Sequence, residues 1–317
     1  MPSVTASPAN STLTTPDWHL IEIPVKPIHA DHLGTLYYLH LPSKPDNALR
    51  RIIAMASLSL DVMINLGDPF TIETFCDAIQ VNQGPYLAGP RPTTAFIRRQ
   101  GELTLLGARF KHGAVAPLLP YPVKELEQRI LPLSTVWPDT AAALGKIGNR
   151  QTPLSTLVEN MEAAFTELLT KARKPDPMVR KAVKLIAQHQ GDLEVSAMAA
   201  SLGVSRQTVK HKFDQHVGVS PKLFGKLRRF QAVLGRLTSV TKVNWTQLAR
   251  DSGYYDQAHL TREFNHFTGF SPQKFMKNLE KGEDLYLFDT VDQTHYHLTL
   301  RQDAASSGAD GTGTREA

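Results

Sequence analysis

Apolar residues follow three successive patterns along this chain. From Trp18 to about Phe110 they come in short β-branched and aromatic runs cut by turn residues, the pattern of strands. Gly34–Leu41 (GTLYYLHL), Ser59–Leu66 (SLDVMINL), Thr93–Arg98 and Glu102–Phe110 (ELTLLGARF) are the clearest runs. Gly67-Asp68-Pro69, Asn82-Gln83-Gly84-Pro85 and Gly89-Pro90 mark turns between them. A sandwich or barrel is the natural closure, because it leaves few strand edges exposed. From Ala114 the period lengthens. Val136–Ile147 and Leu154–Lys171 carry apolar residues at helical spacing, with Leu154, Leu157, Val158, Met161, Phe165, Leu168 and Leu169 in the second. Helix Leu154–Leu169 could pair with a second copy of itself or pack on its own domain.

The run Lys171–Pro177 (KARKPDP) ends that helix with basic residues and prolines. It predicts a linker and domain boundary, one that would not fix the two DNA-binding modules of a dimer rigidly. Met178 to about Leu279 reads helical throughout, and Asp284–Leu300 returns to strand-like alternation. The expected organisation is therefore α+β and multidomain. Residues 1–17 are expected to be disordered, and 18–174 to form a β-rich sensor or dimerisation domain with trailing helices. An all-α domain follows at 175–281, then an extension at 282–317 whose Gly/Ala/Ser tail is expected to be disordered.

The helical segment contains an internal repeat. Leu202–Pro221 reads LGVSRQTVKHKFDQHVGVSP and Gly253–Pro272 reads GYYDQAHLTREFNHFTGFSP. Phe213 matches Phe264, Gly218 matches Gly269, and Ser220-Pro221 matches Ser271-Pro272, all 51 residues apart. Each copy follows one local plan. A short apolar helix (Val195–Leu202; Trp245–Ser252) breaks at Gly203 or Gly253. Ser205 or Asp256 then caps a second helix. That helix buries Val209 and Phe213, or Leu260 and Phe264, four residues apart, and Gly218 or Gly269 closes it. Helix, tight turn and helix is the helix-turn-helix arrangement, whose second helix can enter a DNA major groove.

The outward faces carry donors and acceptors suited to base edges. The first presents Gln207, Lys210, His211 and Asp214; the second presents Ala258, Thr261, Arg262 and Asn265, with Gln257 and His259 beside them. Pro221–Leu237 reads as one rigid connecting helix, which would let both units reach successive major-groove faces about 34 Å apart.

Composition sharpens this picture. The 317 residues suffice for two domains, and 41% hydrophobic with 21% charged residues is ordinary for a globular chain. Lys171–Lys281 holds 20 Lys/Arg against 8 Asp/Glu, a surplus of 12, whereas the remainder holds 15 against 22. Positive charge gathered in one third of the chain points to a polyanion partner. Neither a signal peptide nor a membrane span is read, and the single cysteine excludes an intrachain disulfide or a multi-cysteine zinc site. The expected location is the cytoplasm.

With these residues in view, roughly Asp176–Leu279 resembles the AraC/XylS family of bacterial transcription regulators. The resemblance rests on the connector pattern Pro221, Phe224, Arg229, Ala232 and on the run DQAHLTREFNHFTGFSP. It implies base contacts at Gln207, Lys210, His211, Gln257, Ala258, Thr261 and Arg262, with His259 beside them. It implies phosphate contacts at Lys212, Lys222 and Lys274, to which the capping Ser205 is added. Tyr254-Tyr255 stands where that family commonly has Phe-Ser, a departure that packing is expected to absorb. Leu60–Phe70 (LDVMINLGDPF) and Leu105–Leu119 (LLGARFKHGAVAPLL) resemble the β-rich, sensor-like domain found ahead of such modules.

Other chemistries fit less well. His29, His32 and His40 with Glu22 invite comparison with the iron site of a cupin-like barrel, but their spacing differs from such a site. His295 and His297 are too few for a metal. Cys76 reads as a small buried hydrophobe, and a DNA-repair methyl acceptor would need more cysteines than one. No phosphate-binding, dinucleotide-binding or nucleophile-elbow motif is present. The sequence thus predicts a regulator that binds double-stranded DNA, with no catalytic residues, metal or cofactor. A small-molecule effector, a second copy and RNA polymerase are the partners it suggests. The alternative is a metal-dependent enzyme on the N-terminal barrel fused to a DNA-binding module.

Overall fold

The computed structural model describes residues 12–15, 18–43, 49–74, 77–237, 243–280, 284–288 and 295–298. The first strands are β1 (Thr12–Thr15), β2 (Trp18–Ile23), β3 (Leu33–Leu41), β4 (Arg50–Ala54), β5 (Leu60–Asn65) and β6 (Phe70–Glu73). They are followed by β7 (Ala78–Val81), β8 (Gly84–Ala88), β9 (Ala95–Arg99), β10 (Leu103–Phe110) and β11 (Ile130–Pro132). One sheet runs β1-β2-β3-β10-β5-β8-β11. The second contains β4-β9-β6-β7 and is extended at its β4 edge by two strands from the far end of the chain, β12 (Asp284–Phe288) and β13 (His295–Leu298).

The two sheets face each other over a core that includes Tyr37, Leu39, Ile52, Met63, Phe70, Ile72, Leu103 and Leu105. The outer face of the first sheet is covered by α1 (Pro138–Leu144) and α2 (Leu154–Thr170). Strand β10 lies between these two cores, so all eight of its residues are buried. That explains why its sequence is a nearly continuous apolar run with no clean alternation. Helix α2 buries Leu157, Met161, Phe165 and Leu169, and Phe165 meets Phe110 edge-on at 6.0 Å. Of the two roles open to this helix, its apolar stripe serves its own domain. Helix α1 is shorter than the periodicity predicts, because Pro138 with its fixed φ sets its start and Gly145 ends it.

The remaining helices are α3 (Pro177–Gln188), α4 (Val195–Leu202), α5 (Arg206–His216), α6 (Pro221–Leu237), α7 (Trp245–Asp251), α8 (Gln257–Thr268) and α9 (Pro272–Glu280). Their core is not self-contained: Ile53, Met55, Ala56, Leu58 and Phe96 of the β-rich unit belong to the same buried cluster. Phe96 meets Phe270 edge-on at 6.1 Å, His112 meets Phe224 at 4.9 Å, and the Thr94 N–H donates to the Phe267 carbonyl at 3.0 Å. The layers are therefore α1/α2, first sheet, second sheet and helical unit. The boundary expected at 171–177 is thus bridged by a shared core. The 171–177 segment is not what sets their placement; the apolar outer face of β4 and β9 must be covered, and the helices cover it.

One further expectation changes. Residues 1–17 are not wholly disordered, since Thr12–Thr15 pairs antiparallel with β2 from Thr12↔Ile21 to Thr15↔Trp18. β-Branched threonines suit an edge strand, and β2 offers an open ladder. The alternation after Asp284 does form strands, and β12 runs parallel to β4 with Asp284 opposite Ile52 and Tyr286 opposite Ala54. The tail from 299, residues 1–11 and Cys76 lie outside the described residues. Among the described residues no helix is long and apolar enough to cross a membrane.

Candidate nucleic-acid interface

Both repeat copies build the units their local signals predict. Helix α4 ends at Gly203 in the left-handed region (φ 67°), and the Ser205 hydroxyl accepts the Thr208 N–H at 3.0 Å to start α5. In the second copy the Asp256 carboxylate accepts the His259 N–H at 2.6 Å to start α8, which Gly269 terminates. Val209, Phe213, Leu260 and Phe264 are fully buried. Four-residue spacing turns each pair to one side and leaves the opposite side to solvent.

The connector α6 joins the copies and buries Phe224, Leu227, Phe230, Val233, Leu234 and Leu237. Phe230 packs edge-on against Phe264 of α8 at 5.2 Å, and Phe224 against Phe213 of α5 at 5.9 Å. A buried ion pair fixes α8 further. Arg229 of α6 donates to both Glu263 oxygens at 3.3 Å, and Lys226 reaches the same carboxylate at 3.1 Å. His259 stands 3.6 Å from it, and the Arg229 guanidinium lies 4.7 Å from the Tyr254 ring centre. Glu263 is itself 4% exposed, so this charge cluster holds the two helices together away from solvent. Sequence reading recognised Arg229 only as part of a motif and missed Glu263. Its place among outward-facing polar neighbours gave no sign of burial.

Most residues expected at base edges are exposed: Gln207, Lys210 and His211 on α5, and Gln257, Ala258 and Arg262 on α8. His259 and Thr261 are half-buried; His259 leans on Tyr254 and Glu263, and the Thr261 hydroxyl donates to the Gln257 carbonyl at 2.9 Å. The Gln257 side chain accepts from Thr246. Lys222 and Lys274 are exposed at the starts of α6 and α9, with Lys274 beside the Phe270 ring. Lys212 is engaged elsewhere: its ammonium donates to Asp176 at 2.6 Å. Burial opposes charge on Asp176, but Lys212 and the capped N–H groups of Val179 and Met178 outweigh it and hold the carboxyl below its ordinary range.

The Tyr pair divides its roles. Tyr254 is buried, whereas Tyr255 is 91% exposed at the turn before α8, so packing absorbs only the first. An exposed aromatic beside the recognition helix is a candidate contact that the repeat alignment did not single out. The histidines once weighed as metal ligands sit apart. His29 bonds Thr166, His32 bonds the Ala114 carbonyl and His40 bonds Thr104. Among the described residues no group of three His, Cys, Asp or Glu side chains could hold a metal.

Two capped helix-turn-helix units joined by one buried connector define a DNA-binding domain. A family model described as a helix-turn-helix domain matches residues 198–278. The arabinose operon regulatory protein of Escherichia coli (strain K12) is 28% identical over 130 residues, 39% of this chain and 44% of that protein. Its counterpart from Salmonella typhimurium is 31% identical over 108 residues, 33% and 38% of the respective chains. The chain thus spans less than half the length of the curated relatives it matches. Among solved structures, ToxT from Vibrio cholerae superposes with a TM-score of 0.45 and 10% identity, over 76% of this chain and 97% of that one. The chain therefore carries a helix-turn-helix domain and is similar, over part of its length, to arabinose operon regulatory proteins.

Proposed function

We propose that this chain is a sequence-specific transcription regulator. In this reading residues 175–281 bind double-stranded DNA through α5 and α8, and the β-rich residues 18–174 control that binding through an effector or a second copy. The observation that carries it is the pair of unlike, exposed recognition faces fixed to one buried connector. Gln207, Lys210, His211, Gln257, Ala258 and Arg262 are the base-reading residues, with Thr261 and His259 in support. Ser205, Lys222 and Lys274 hold phosphates, and Lys212 joins them only by leaving Asp176. A second copy would use a surface other than the apolar stripe of α2, which is spent on its own barrel. RNA polymerase is the machinery such a regulator would influence, in the cytoplasm.

Hydroxyl-radical footprinting of the full chain on duplexes selected from a random library tests this. An asymmetric site is expected, with two protected stretches on one DNA face about one turn (roughly 10–10.5 bp) apart. Affinity is expected to fall steeply with salt as counterions are released. A single protected groove would leave only one unit reading DNA, and no preference among duplexes at low salt would refute the proposal.

A further inference from the structure

The two helix-turn-helix units differ in the length of their turns. The first turn runs Gly203, Val204 and the capping Ser205; the second runs Gly253, Tyr254, Tyr255 and the capping Asp256. Both glycines are left-handed, with φ of 67° and 73°. The residue after each glycine makes the same bond. The Val204 N–H donates to the Ala199 carbonyl at 3.1 Å, and the Tyr254 N–H to the Ala249 carbonyl at 2.9 Å. These matched bonds lie 50 residues apart in sequence, whereas the caps lie 51 apart. Tyr255 is therefore an inserted residue that the first unit does without.

The insertion has no seat in the core. An apolar residue just before a helix cap commonly packs back on the helix it precedes. Val204 does so, against the buried cluster that contains Val209. In the second unit Tyr254 already occupies that place, 4% exposed and with the Arg229 guanidinium over its ring. Tyr255 is left outside, the most exposed large hydrophobic side chain among the described residues.

A single exposed apolar side chain is ordinary on a protein surface. The position of this one sets it apart. It stands directly before α8, at the end of a recognition helix from which base edges are read, beside the exposed Gln257 and Ala258. Its surroundings also select the part of the duplex it meets. Asp251–Gln257 holds two aspartates and no Lys or Arg, and the exposed Asp192 carboxylate flanks Gly253. Such a turn repels phosphate. An aromatic ring at a base edge finds one apolar group in the major groove, the C5-methyl of thymine.

We propose that Tyr255 is a specificity-determining residue of the second unit, its ring packed on the methyl group of a thymine at the edge of the base pairs that α8 reads. This rests on the reading of α8 as a recognition helix and adds one base to what that helix reads. The shorter turn of the first unit has no counterpart, so the contact is made once per chain.

Selection of duplexes from a random library by the full chain, by Tyr255→Ser and by Tyr255→Phe tests the contact. The parent and Tyr255→Phe should enrich thymine at one position of the stretch whose protection Arg262→Ala weakens, and Tyr255→Ser should not. Uracil at that position removes only the methyl group. It should weaken binding by the parent and Tyr255→Phe about fourfold, the weight of one buried methyl-sized group, and leave Tyr255→Ser unaffected. All three proteins should share one urea midpoint, and a lower midpoint in Tyr255→Ser would give the ring a seat in the core and overturn the proposal. Equal weakening of every duplex by Tyr255→Ser, or a loss in Tyr255→Phe as large as in Tyr255→Ser, makes the contact one to the sugar–phosphate backbone and overturns it. Unchanged DNA binding in Tyr255→Ser also overturns it and assigns the ring to a protein partner. Protection over the second unit with no uracil-sensitive thymine refutes the thymine contact and leaves the regulator standing. No protection dependent on α8 refutes both.

Discussion

Replacing Glu263 with Gln removes the carboxylate on which Lys226, Arg229 and His259 converge, with almost no change of shape. The side chains of Glu263 and Arg229 are 5% and 11% exposed. The guanidinium would therefore remain buried with only the exposed Asp192 carboxylate, 3.6 Å away, as a counter-charge. Removing one partner of a buried pair costs about 3–5 kcal/mol, and the amide oxygen still accepts a hydrogen bond, so about 3 kcal/mol is expected. The contrast is the pair Lys171–Glu167, whose side chains are 77% and 72% exposed. Glu167→Gln should cost less than about 0.5 kcal/mol, because water already screens that pair. Urea unfolding of the full chain, with both variants in parallel, measures the difference. Because Glu263 seats α8 on α6, the variant should also lose footprint protection over the second unit before the first. A Glu263→Gln midpoint indistinguishable from that of Glu167→Gln would refute the reasoning, because it would mean the cluster is not desolvated as its burial implies.

Two further outcomes follow from other parts of the molecule. Arg262→Ala should cost about 1–3 kcal/mol and relax preference at one or two base pairs in a selection assay, whereas Lys222→Ala should weaken all duplexes alike and lower the salt slope by about one; uniform weakening by Arg262→Ala would make Arg262 a phosphate contact. The second concerns pH. His112, buried against Phe224, has its pKa pushed down to about 3, chiefly by burial and then by Arg228. The unfolded chain takes up that proton near pH 6.5 and the folded chain does not, so stability falls as pH drops from about 6.5 towards 3, by at most about 1.4 kcal/mol per unit. Burial also lowers His29, His40 and His216, which act in the same direction. Urea midpoints measured across that window should therefore fall with acid in the parent and fall less in His112→Phe; parallel curves would show that His112 is not the group responsible.

The sequence by itself determined the parts whose causes are local. Caps at Ser205 and Asp256, left-handed glycines at Gly203 and Gly269, and apolar pairs four residues apart act within one or two helical turns, so the repeat was readable and the structure keeps it. The β-rich first half was legible for the same reason, as alternation and turn residues act over a few positions. Only the tertiary structure decided what depends on distant partners. Lys212 reads as a phosphate ligand until Asp176, 36 residues away, takes its ammonium. Glu263 looks like one more polar residue on α8 until α6 is laid over it. Met55 and Phe96 look like ordinary strand residues, yet they form part of the core beneath the DNA-binding helices. Strand β12 reads as a short extension with no stated neighbour, and it completes the edge of β4. Periodicity fixes which face of an element is apolar, but it carries no record of which other apolar face will cover it. That choice is made by the whole chain as it buries its surfaces together.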